Sequence, residues 1–369
     1  MSGEASVMLA AGGTGGHLFP AFALAEALGQ RGIPVDLVTD TRGDRYGTGF
    51  PARHVYQVPA ATGGSALKAA FAAVQLSRGI AVAHKMLGEV KPSVIIGFGG
   101  YPTFPPLMAA KLRGIATAVH EQNAVLGRAN RMLASRVDAI ATSFAETKGL
   151  DGPLLAKARH TGNPVRSVVL TAALKPYWRP EPHQQVRLLV FGGSQGARYF
   201  SEAVPPALAL LPEGIRRLLH VTQQARAEDI AGVTSAYGAS GIAADVSAFF
   251  QDLPARMAAS HLVIGRAGAS TTAELTVIGR PSILVPLPHS LDNDQLHNAQ
   301  RLAESGGAWC IEQKDLTPER LAAEIEMLIS RPAMLANAAT AAKQQGRPDA
   351  VDRLADLAVS LMNGRRASS

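Results

Sequence analysis

The stretch "SVMLAAGGTGGHLFP" (residues 6–20) joins a short apolar run to a glycine-rich loop that ends on a histidine. The apolar run, Ser6–Leu9, predicts a buried strand, and a helix is predicted from Pro20 to Gln30 with Gly32 as its stop. Glycines after a strand let a ligand approach the backbone, and the start of a helix offers N–H groups to an anion. The stretch therefore predicts a strand–helix turn that can bind an anionic group.

Strand-like and helical segments continue to alternate after this turn. Further strands are predicted at Val35–Val38, Val94–Ile96, Ala116–Val119 and Ala139–Thr142. Alternation of this kind is typical of a parallel sheet with helices on both faces.

The same layout restarts in the second half of the chain. "VRLLVFGGSQGARYF" (186–200) again has an apolar run, a glycine loop and a helical segment. In the same way "VIIGFGGYPTFPPLMAAKLRGIATAVHEQN" (94–123) is matched by "LVIGRAGASTTAELTVIGRPSILVPLPHSLDN" (262–293), with Gly97 and Gly265 separated by 168 residues. The repeat predicts two Rossmann-like, doubly wound α/β domains that face each other across a cleft.

The domain boundary is predicted in the proline-rich stretch Gly162–Pro182. The domains are then residues 1–164 and 165–348. A last helix, Asp349–Met362, carries an apolar stripe that must be buried. We expect the segment 349–369 to pack back on the first domain.

Composition limits the classes of partner. The 369 residues carry a net charge of +7, which favours nucleic acid, an acidic lipid surface or phosphate-bearing substrates. No zinc-finger spacing or aromatic RNA-binding signature occurs, so we expect no nucleic-acid partner. Cys310 is the only cysteine, which suits a reducing compartment. No apolar run is long enough for a membrane-spanning helix, and the early glycine loop stands where a signal peptide would be apolar.

The glycine loops fit some binding motifs and fail others. Leu18 stands where the dinucleotide fingerprint requires its last glycine, and no Walker motif occurs. The second loop matches the G-x-S-x-G nucleophile elbow, which would make Ser194 a nucleophile with Asp252 and His289 as partners. That serine-hydrolase interpretation leaves the first loop and the repeat unexplained. The alternative role for Ser194 is a helix N-cap.

Four polar clusters follow predicted strands, where a doubly wound fold builds its site. They are His120–Asn123, Gly162–Arg166, Gly268–Glu274 and Asp292–Gln295. An arginine there can hold phosphate oxygens, and a carboxylate such as Glu274 suits a ribose diol. Glu274 could instead be a capping-box partner of Ser270 or Thr271. Loop caps or surface charges are the alternatives for Asn123, Gln295 and Arg166.

His17 lies at the edge of the first glycine loop. A histidine there can be a hydrogen-bonded structural residue. The positive end of the following helix favours the neutral imidazole, which is the form that a general base needs.

Five motifs in this order resemble the MurG family: "GGTGGH", "HEQN", "TGNPVR", "GGSQGA" and a "GxxT…E" helix. The resemblance covers nearly the whole chain. It implies a GT-B fold and an inverting N-acetylglucosaminyltransferase. The implied reaction moves GlcNAc from UDP-GlcNAc to the C4 hydroxyl of undecaprenyl-diphosphate-linked MurNAc-pentapeptide, converting lipid I to lipid II in peptidoglycan synthesis. A non-hydrolysing UDP-GlcNAc epimerase is the nearest enzymatic alternative, and it would need no acceptor.

The resemblance also implies roles for individual residues. The reacting sugars and the acceptor diphosphate are expected at Thr14, Gly15 and Gly16. The donor is expected to contact side chains that hold its sugar, ribose and diphosphate: Asn123, Arg166, Ser194, Glu274 and Gln295. The main chain of Phe250 is expected to read uracil. Backbone N–H groups for the diphosphate are expected at the helix start: Gly268, Ala269, Ser270, Thr271 and Thr272.

His17 is the predicted general base, with Glu121 as the alternative or its helper. The one D-x-D match in the sequence, Asp292 to Asp294, belongs to the polar cluster that the resemblance assigns to sugar binding and not to a metal ion. We therefore expect turnover without a catalytic metal ion and without a cofactor.

The lipid acceptor implies that the protein touches a membrane. On a helical wheel of Ala66–Leu87, one face carries Leu76, Ile80, Ala83 and Leu87. The opposite face carries apolar and basic residues together: Leu67, Phe71, Val74, Arg78 and Lys85. That face predicts docking on an anionic membrane surface, as a peripheral protein at the cytoplasmic face of the inner membrane. The alternative is a helix buried on both faces with its charges extended to solvent.

Overall fold

The chain divides into two compact units. The computed structural model describes residues 5–12, 15–40, 49–58, 66–181, 183–193 and 197–366. The N-terminal unit comprises Met1–Arg166 together with Arg347–Ser369, and the C-terminal unit comprises Ser167–Gly346.

The described part of the N-terminal unit contains a parallel seven-stranded sheet in the order β3-β2-β1-β4-β5-β6-β7. β1 pairs with both β2 and β4, so the chain reverses its direction of travel across the sheet there. The carboxyl ends of strands at such a switch point form the crevice in which doubly wound folds bind ligands. In chain order the elements are β1 (Val7–Ala10), α1 (Gly15–Gln30), β2 (Val35–Thr39), β3 (Val55–Gln57), α2 (Ala66–Val90), β4 (Val94–Gly97), α3 (Phe104–Leu112), β5 (Ala116–Glu121), α4 (Arg128–Ala134), β6 (Ala139–Thr142) and β7 (Ala158–His160).

The described part of the C-terminal unit repeats this plan with a parallel six-stranded sheet, β10-β9-β8-β11-β12-β13, whose switch point lies between β8 and β11. Its elements are α5 (Ser167–Ala172), β8 (Val186–Phe191), α6 (Ala197–Ala209), α7 (Glu213–Arg216), β9 (Leu219–Gln224), α8 (Ile230–Ala239), β10 (Ala243–Ser247), α9 (Leu253–Ala258), β11 (Leu262–Gly265), α10 (Ala269–Ile278), β12 (Ser282–Leu284), α11 (Asp294–Glu304), β13 (Ala308–Cys310), α12 (Pro318–Ile329) and α13 (Pro332–Gln345).

The last helix, α14 (Ala350–Arg366), belongs to the N-terminal unit. Leu354 and Ala358 are fully buried in the same core cluster as Val7 and Leu9. At the end of α1, Arg31 forms ion pairs with two carboxylates of α14, Asp352 at 3.0 Å and Asp356 at 2.6 Å. The apolar stripe predicted from the sequence is therefore the part of α14 that is buried.

Two parallel α/β domains confirm the predicted fold class. The equivalent glycines Gly97 and Gly265 end β4 and β11, each beside its switch point. A Cβ atom at Gly265 would lie 3.1 Å from the carbonyl oxygen of Phe191, and one at Gly97 would lie 3.0 Å from Leu107 Cδ1. A side chain at Gly265 would therefore press on backbone, whereas at Gly97 it would press on the flexible end of Leu107.

The predicted bounds of α1 and β5 were wrong. α1 begins at Gly15, five residues before the predicted start, and contains Pro20. Pro20 lies in the second turn, so the helix lacks the hydrogen bond that residue 20 would otherwise donate to the carbonyl oxygen of Gly16. β5 continues through His120 to Glu121, which pair with β6. Polar residues can occupy this strand end because their side chains are hydrogen-bonded.

Among the described residues, no helix is both long enough and apolar enough to cross a membrane.

Candidate active site

His17 lies in the first turn of α1, against the backbone of two glycine loops. Gly12 N donates a hydrogen bond to Gly99 O at 3.3 Å, which joins the loop after β1 to the loop after β4. A Cβ atom at Gly99 would lie 3.1 Å from Cε1 of His17, and Gly99 has a φ of +91°. The glycines therefore make room for an imidazole at the switch point of the N-terminal sheet.

The His17 ring is connected to the end of β5 through Gln122. His17 Nδ1 lies 3.3 Å from Gln122 Oε1. Gln122 Nε2 lies 3.0 Å from His120 Nδ1 and donates to His120 O at 2.9 Å. His120 is fully buried, and this burial lowers its pKa to about 4, so its imidazole is neutral. The network therefore connects His17, a predicted site residue, to the buried side chains of Gln122 and His120.

Glu121 is buried and bonded to the loop that follows β5. Oε1 accepts from the backbone N–H of Asn123 at 3.0 Å, and Oε2 accepts from Gly127 N and Asn130 Nδ2, both at 2.8 Å. Burial raises the pKa of Glu121, and these hydrogen bonds partly oppose the shift. Because only 1% of the residue is exposed, its carboxylate is suited to shaping the Asn123 loop. This geometry favours His17 over Glu121 as the proton acceptor.

Three other predicted residues, Gly15, Gly16 and Arg166, lie on or beside α1. Gly15 and Gly16 form the first two positions of α1. The guanidinium of Arg166 lies 4.8 Å from the ring centroid of Phe19, also on α1. Thr14 lies outside the described residues.

In the C-terminal unit, the predicted anion site is the start of α10. Gly268 is the N-cap, and the helix begins at Ala269, so Ser270, Thr271 and Thr272 all lie within it. Because Gly268 has no side chain, it cannot cap the N–H groups of the first turn, which face the end of the helix. The capping-box interpretation of Glu274 is wrong, since Glu274 is in the second turn.

Other predicted donor contacts lie in separate loops of this unit. Gln295, in the first turn of α11, accepts a hydrogen bond from Leu287 N at 3.0 Å and so holds that loop. Phe250 is 8% exposed, and the guanidinium of Arg256 lies 4.3 Å from its ring centroid. Ser194 lies outside the described residues. Asp252, the acid of the hydrolase alternative, is bonded to Arg256 Nε at 2.8 Å.

Arg266 and Gln122 are site residues that sequence reasoning did not single out. Arg266 directly follows β11, and its guanidinium lies 5.1 Å from the ring centroids of Tyr199 and Phe200. It donates to the carbonyl of Val285 at 3.1 Å. Burial lowers the pKa of Arg266. The sequence feature that could have identified Arg266 is an arginine immediately after an apolar strand at the switch point.

Among the described residues, no group of three or more His, Cys, Asp and Glu side chains is arranged to hold a metal ion.

The helix face predicted to dock on a membrane is exposed in the part of α2 whose side chains the structure describes. Val74, Arg78 and Lys85 are exposed, whereas Ala83 and Leu87 are buried. The alternative of a helix buried on both faces is therefore wrong for the part whose side chains are described. Leu67 and Phe71 have side chains outside that part. Leu112, at the end of α3, is 69% exposed.

Comparisons with known proteins agree with this architecture. The N-terminal domain model of glycosyltransferase family 28 matches residues 7–142, and the C-terminal domain model matches residues 187–354. The UDP-N-acetylglucosamine--N-acetylmuramyl-(pentapeptide) pyrophosphoryl-undecaprenol N-acetylglucosamine transferase of Methylobacterium sp. (strain 4-46) is 54% identical over 96% of both chains.

Solved structures give the same result. The crystal structure of MurG from Acinetobacter baumannii has a TM-score of 0.80 and 28% identity, covering 95% of this chain and 98% of that chain. The UDP-GlcNAc 2-epimerase of Neisseria meningitidis, solved with UDP-GlcNAc, has a TM-score of 0.66 and 13% identity, covering 96% and 100%. The latter likeness concerns the fold alone. The chain belongs to glycosyltransferase family 28 and, within it, to the MurG-type N-acetylglucosamine transferases.

Proposed function

We propose that this enzyme transfers N-acetylglucosamine from UDP-GlcNAc to the C4 hydroxyl of undecaprenyl-diphosphate-linked MurNAc-pentapeptide. This step converts lipid I to lipid II in peptidoglycan synthesis. The observation that carries the proposal is 54% identity, over 96% of both chains, to a transferase named for this reaction. The half-buried imidazole beside two glycine loops supports it, because such a ring can accept a proton from a sugar hydroxyl.

The reaction is a single displacement with inversion at the anomeric carbon. The acceptor oxygen forms a bond to that carbon while the bond to the UDP diphosphate breaks. The hydroxyl proton passes to His17, and the electron pair of the broken bond leaves with UDP. Glu121 shapes the Asn123 loop in this mechanism and does not itself take the proton. N–H groups at the start of α10 stabilise the charge that develops on the diphosphate.

Individual residues are assigned on the same proposal. Thr14, Gly15 and Gly16 face the acceptor diphosphate and the reacting sugars. Donor contacts come from side chains that hold the sugar, ribose and diphosphate: Asn123, Arg166, Ser194, Glu274 and Gln295. The main chain of Phe250 binds uracil, and the α10 start from Gly268 to Thr272 binds the diphosphate.

The activity is tested by incubating the full-length protein with UDP-GlcNAc and a soluble lipid-linked MurNAc acceptor. We expect UDP release only when the acceptor is present, with one disaccharide product formed per UDP. Conversion of UDP-GlcNAc without an acceptor would instead identify an epimerase. Labelling of Ser194 by a fluorophosphonate probe would support the hydrolase alternative.

We also propose that the exposed face of α2 docks on an anionic membrane surface, which places the enzyme peripherally at the cytoplasmic face of the inner membrane. The face combines exposed apolar and basic side chains, and an amphipathic helix of this kind lies in a lipid interface. Arg113, which follows α3, donates to His84 O at 2.6 Å and joins the end of α3 to α2. Because Leu112 is exposed and precedes Arg113, we include it in the proposed docking face.

Replacing Val74, Val82 and Leu112 together with glutamate is expected to weaken binding to anionic vesicles about tenfold or more. The change removes apolar contact and places negative charge against a negative surface. Co-sedimentation with vesicles containing acidic lipids measures it. Leu210→Glu is the matched control, because this exposed leucine lies in the C-terminal unit. Wild-type vesicle binding by the triple variant would rule out this docking surface.

A further inference from the structure

A chain of hydrogen bonds runs from His17 through Gln122 and His120 to the backbone carbonyl of Gly162. We infer that Gln122 is a positioning residue that fixes the tautomer of His17, so that Nε2 is the nitrogen that takes the proton. This inference rests on the proposed role of His17 as general base. It extends that role by explaining why the imidazole presents its lone pair on one particular nitrogen.

The orientation of the Gln122 amide is set by a backbone carbonyl. One amide atom lies 2.9 Å from His120 O, which can only accept a hydrogen bond. That atom must therefore be the NH₂ group. The carbonyl oxygen of the same amide consequently faces His17.

The other end of the hydrogen-bonded chain, at Gly162, leads to the same orientation of the Gln122 amide. His120 Nε2 lies 2.9 Å from the carbonyl oxygen of Gly162, so Nε2 must carry the hydrogen. In a neutral ring His120 Nδ1 is then an acceptor, and it lies 3.0 Å from Gln122 Nε2. Burial keeps this ring neutral by lowering its pKa to about 4. Both carbonyl anchors thus require the same orientation of Gln122.

The consequence for His17 follows from the contact between its Nδ1 atom and Gln122. Gln122 Oε1 can only accept, so His17 Nδ1, 3.3 Å away, must be the donor. A neutral imidazole protonated on Nδ1 has its lone pair on Nε2. Without the Gln122 amide, the hydrogen of the neutral His17 ring could lie on Nε2. A ring in that tautomer cannot accept a proton on Nε2. Gln122 is 2% exposed, so it acts through His17 and not by touching a substrate.

The first test observes the tautomer in the wild-type protein and uses a substitution only to assign signals. Full-length protein labelled with ¹⁵N-histidine is studied by NMR, and the His17 signals are assigned by their loss in His17→Ala. We expect Nδ1 of the neutral ring to carry the hydrogen. A His17 ring with its hydrogen on Nε2 overturns the inference, whatever the variants do.

The second test is a double-mutant cycle. Gln122→Met keeps the length of the side chain but removes its hydrogen bonds. We expect kcat to fall about 10- to 100-fold, with both KM values changed by less than about twofold, because only the base is affected. In the His17→Ala background the same substitution is expected to change kcat by less than about twofold. Gln344→Met, at an exposed position of α13, is the matched control.

The outcomes separate this inference from the proposed function. An equal loss of kcat from Gln122→Met with and without His17 means that Gln122 acts through the fold, and the inference fails. A large loss in His17→Ala with none in Gln122→Met also defeats it, while the base assignment stands. A His17→Ala variant that retains kcat defeats the base assignment itself, and the NMR result then reports only the tautomer.

Discussion

His17→Ala is expected to lower kcat by about 10²- to 10⁴-fold, which is the usual loss when a general base is removed. The expected loss is large because the proposed reaction must take a proton from a weakly acidic sugar hydroxyl as the new bond forms. The KM for UDP-GlcNAc should change little, because the proton is transferred from the acceptor. Initial rates of UDP release at saturating concentrations of both substrates measure the effect.

The fold is expected to survive this substitution, since the ring is only half-buried and lies among glycines. Gln30→Ala provides the control, because this exposed residue lies at the other end of the same helix. Both variants should melt close to the wild-type temperature. If folded His17→Ala protein retains nearly full kcat, His17 is not the base.

Repetition and packing are the features of the fold that the sequence reports most directly. The apolar residues of β1, β4, β8 and β11 are buried on both faces of their sheets. Strands of this kind appear in the sequence as nearly unbroken runs of apolar residues. Gly97 and Gly265 end equivalent strands, and their spacing together with the apolar runs makes the repeat detectable.

The details of the site depend on contacts that local sequence does not encode. Gln122 connects to a histidine 105 residues earlier in the chain, and no pattern within "HEQN" predicts that pairing. Glu121 resembles a solvent-facing acid in the sequence, yet it is buried and accepts hydrogen bonds from the backbone of Gly127 and from Asn130 on α4. The start of α1 was missed because proline usually marks the first turn of a helix, and here Pro20 follows it.

Two cationic side chains bind the carboxyl end of α10, the helix whose start is the proposed diphosphate site. Arg280 is fully buried and donates to the carbonyls of Ile278 and Gly279, at 3.1 and 3.0 Å. Lys343 donates to Val277 O. Positive charge at the carboxyl end of a helix is favourable because of the helix dipole. The same guanidinium donates to carbonyls outside α10: Lys175, Pro176 and Ala258.

Arg280→Met is expected to lower the free energy of unfolding of the C-terminal unit by about 3–5 kcal/mol. Methionine fills much of the space but leaves several buried carbonyls without their donor, and each such loss is costly. Burial lowers the pKa of Arg280 only to about 10, so the wild-type side chain is charged at neutral pH. Urea unfolding followed by tryptophan fluorescence reports on this unit, since both tryptophans of the chain, Trp178 and Trp309, lie in it.

Arg217→Met is the matched control, because this arginine is 75% exposed and pairs with Glu213 on the surface. Its loss should cost less than about 1 kcal/mol, as is usual for an exposed ion pair. Arg280→Lys keeps the charge but presents fewer donors, so its stability should fall between those of Arg280→Met and the wild type. If Arg280→Met unfolds within about 1 kcal/mol of the wild type, the buried guanidinium does not hold α10 in place, because removing the donor of several carbonyls should cost more than that.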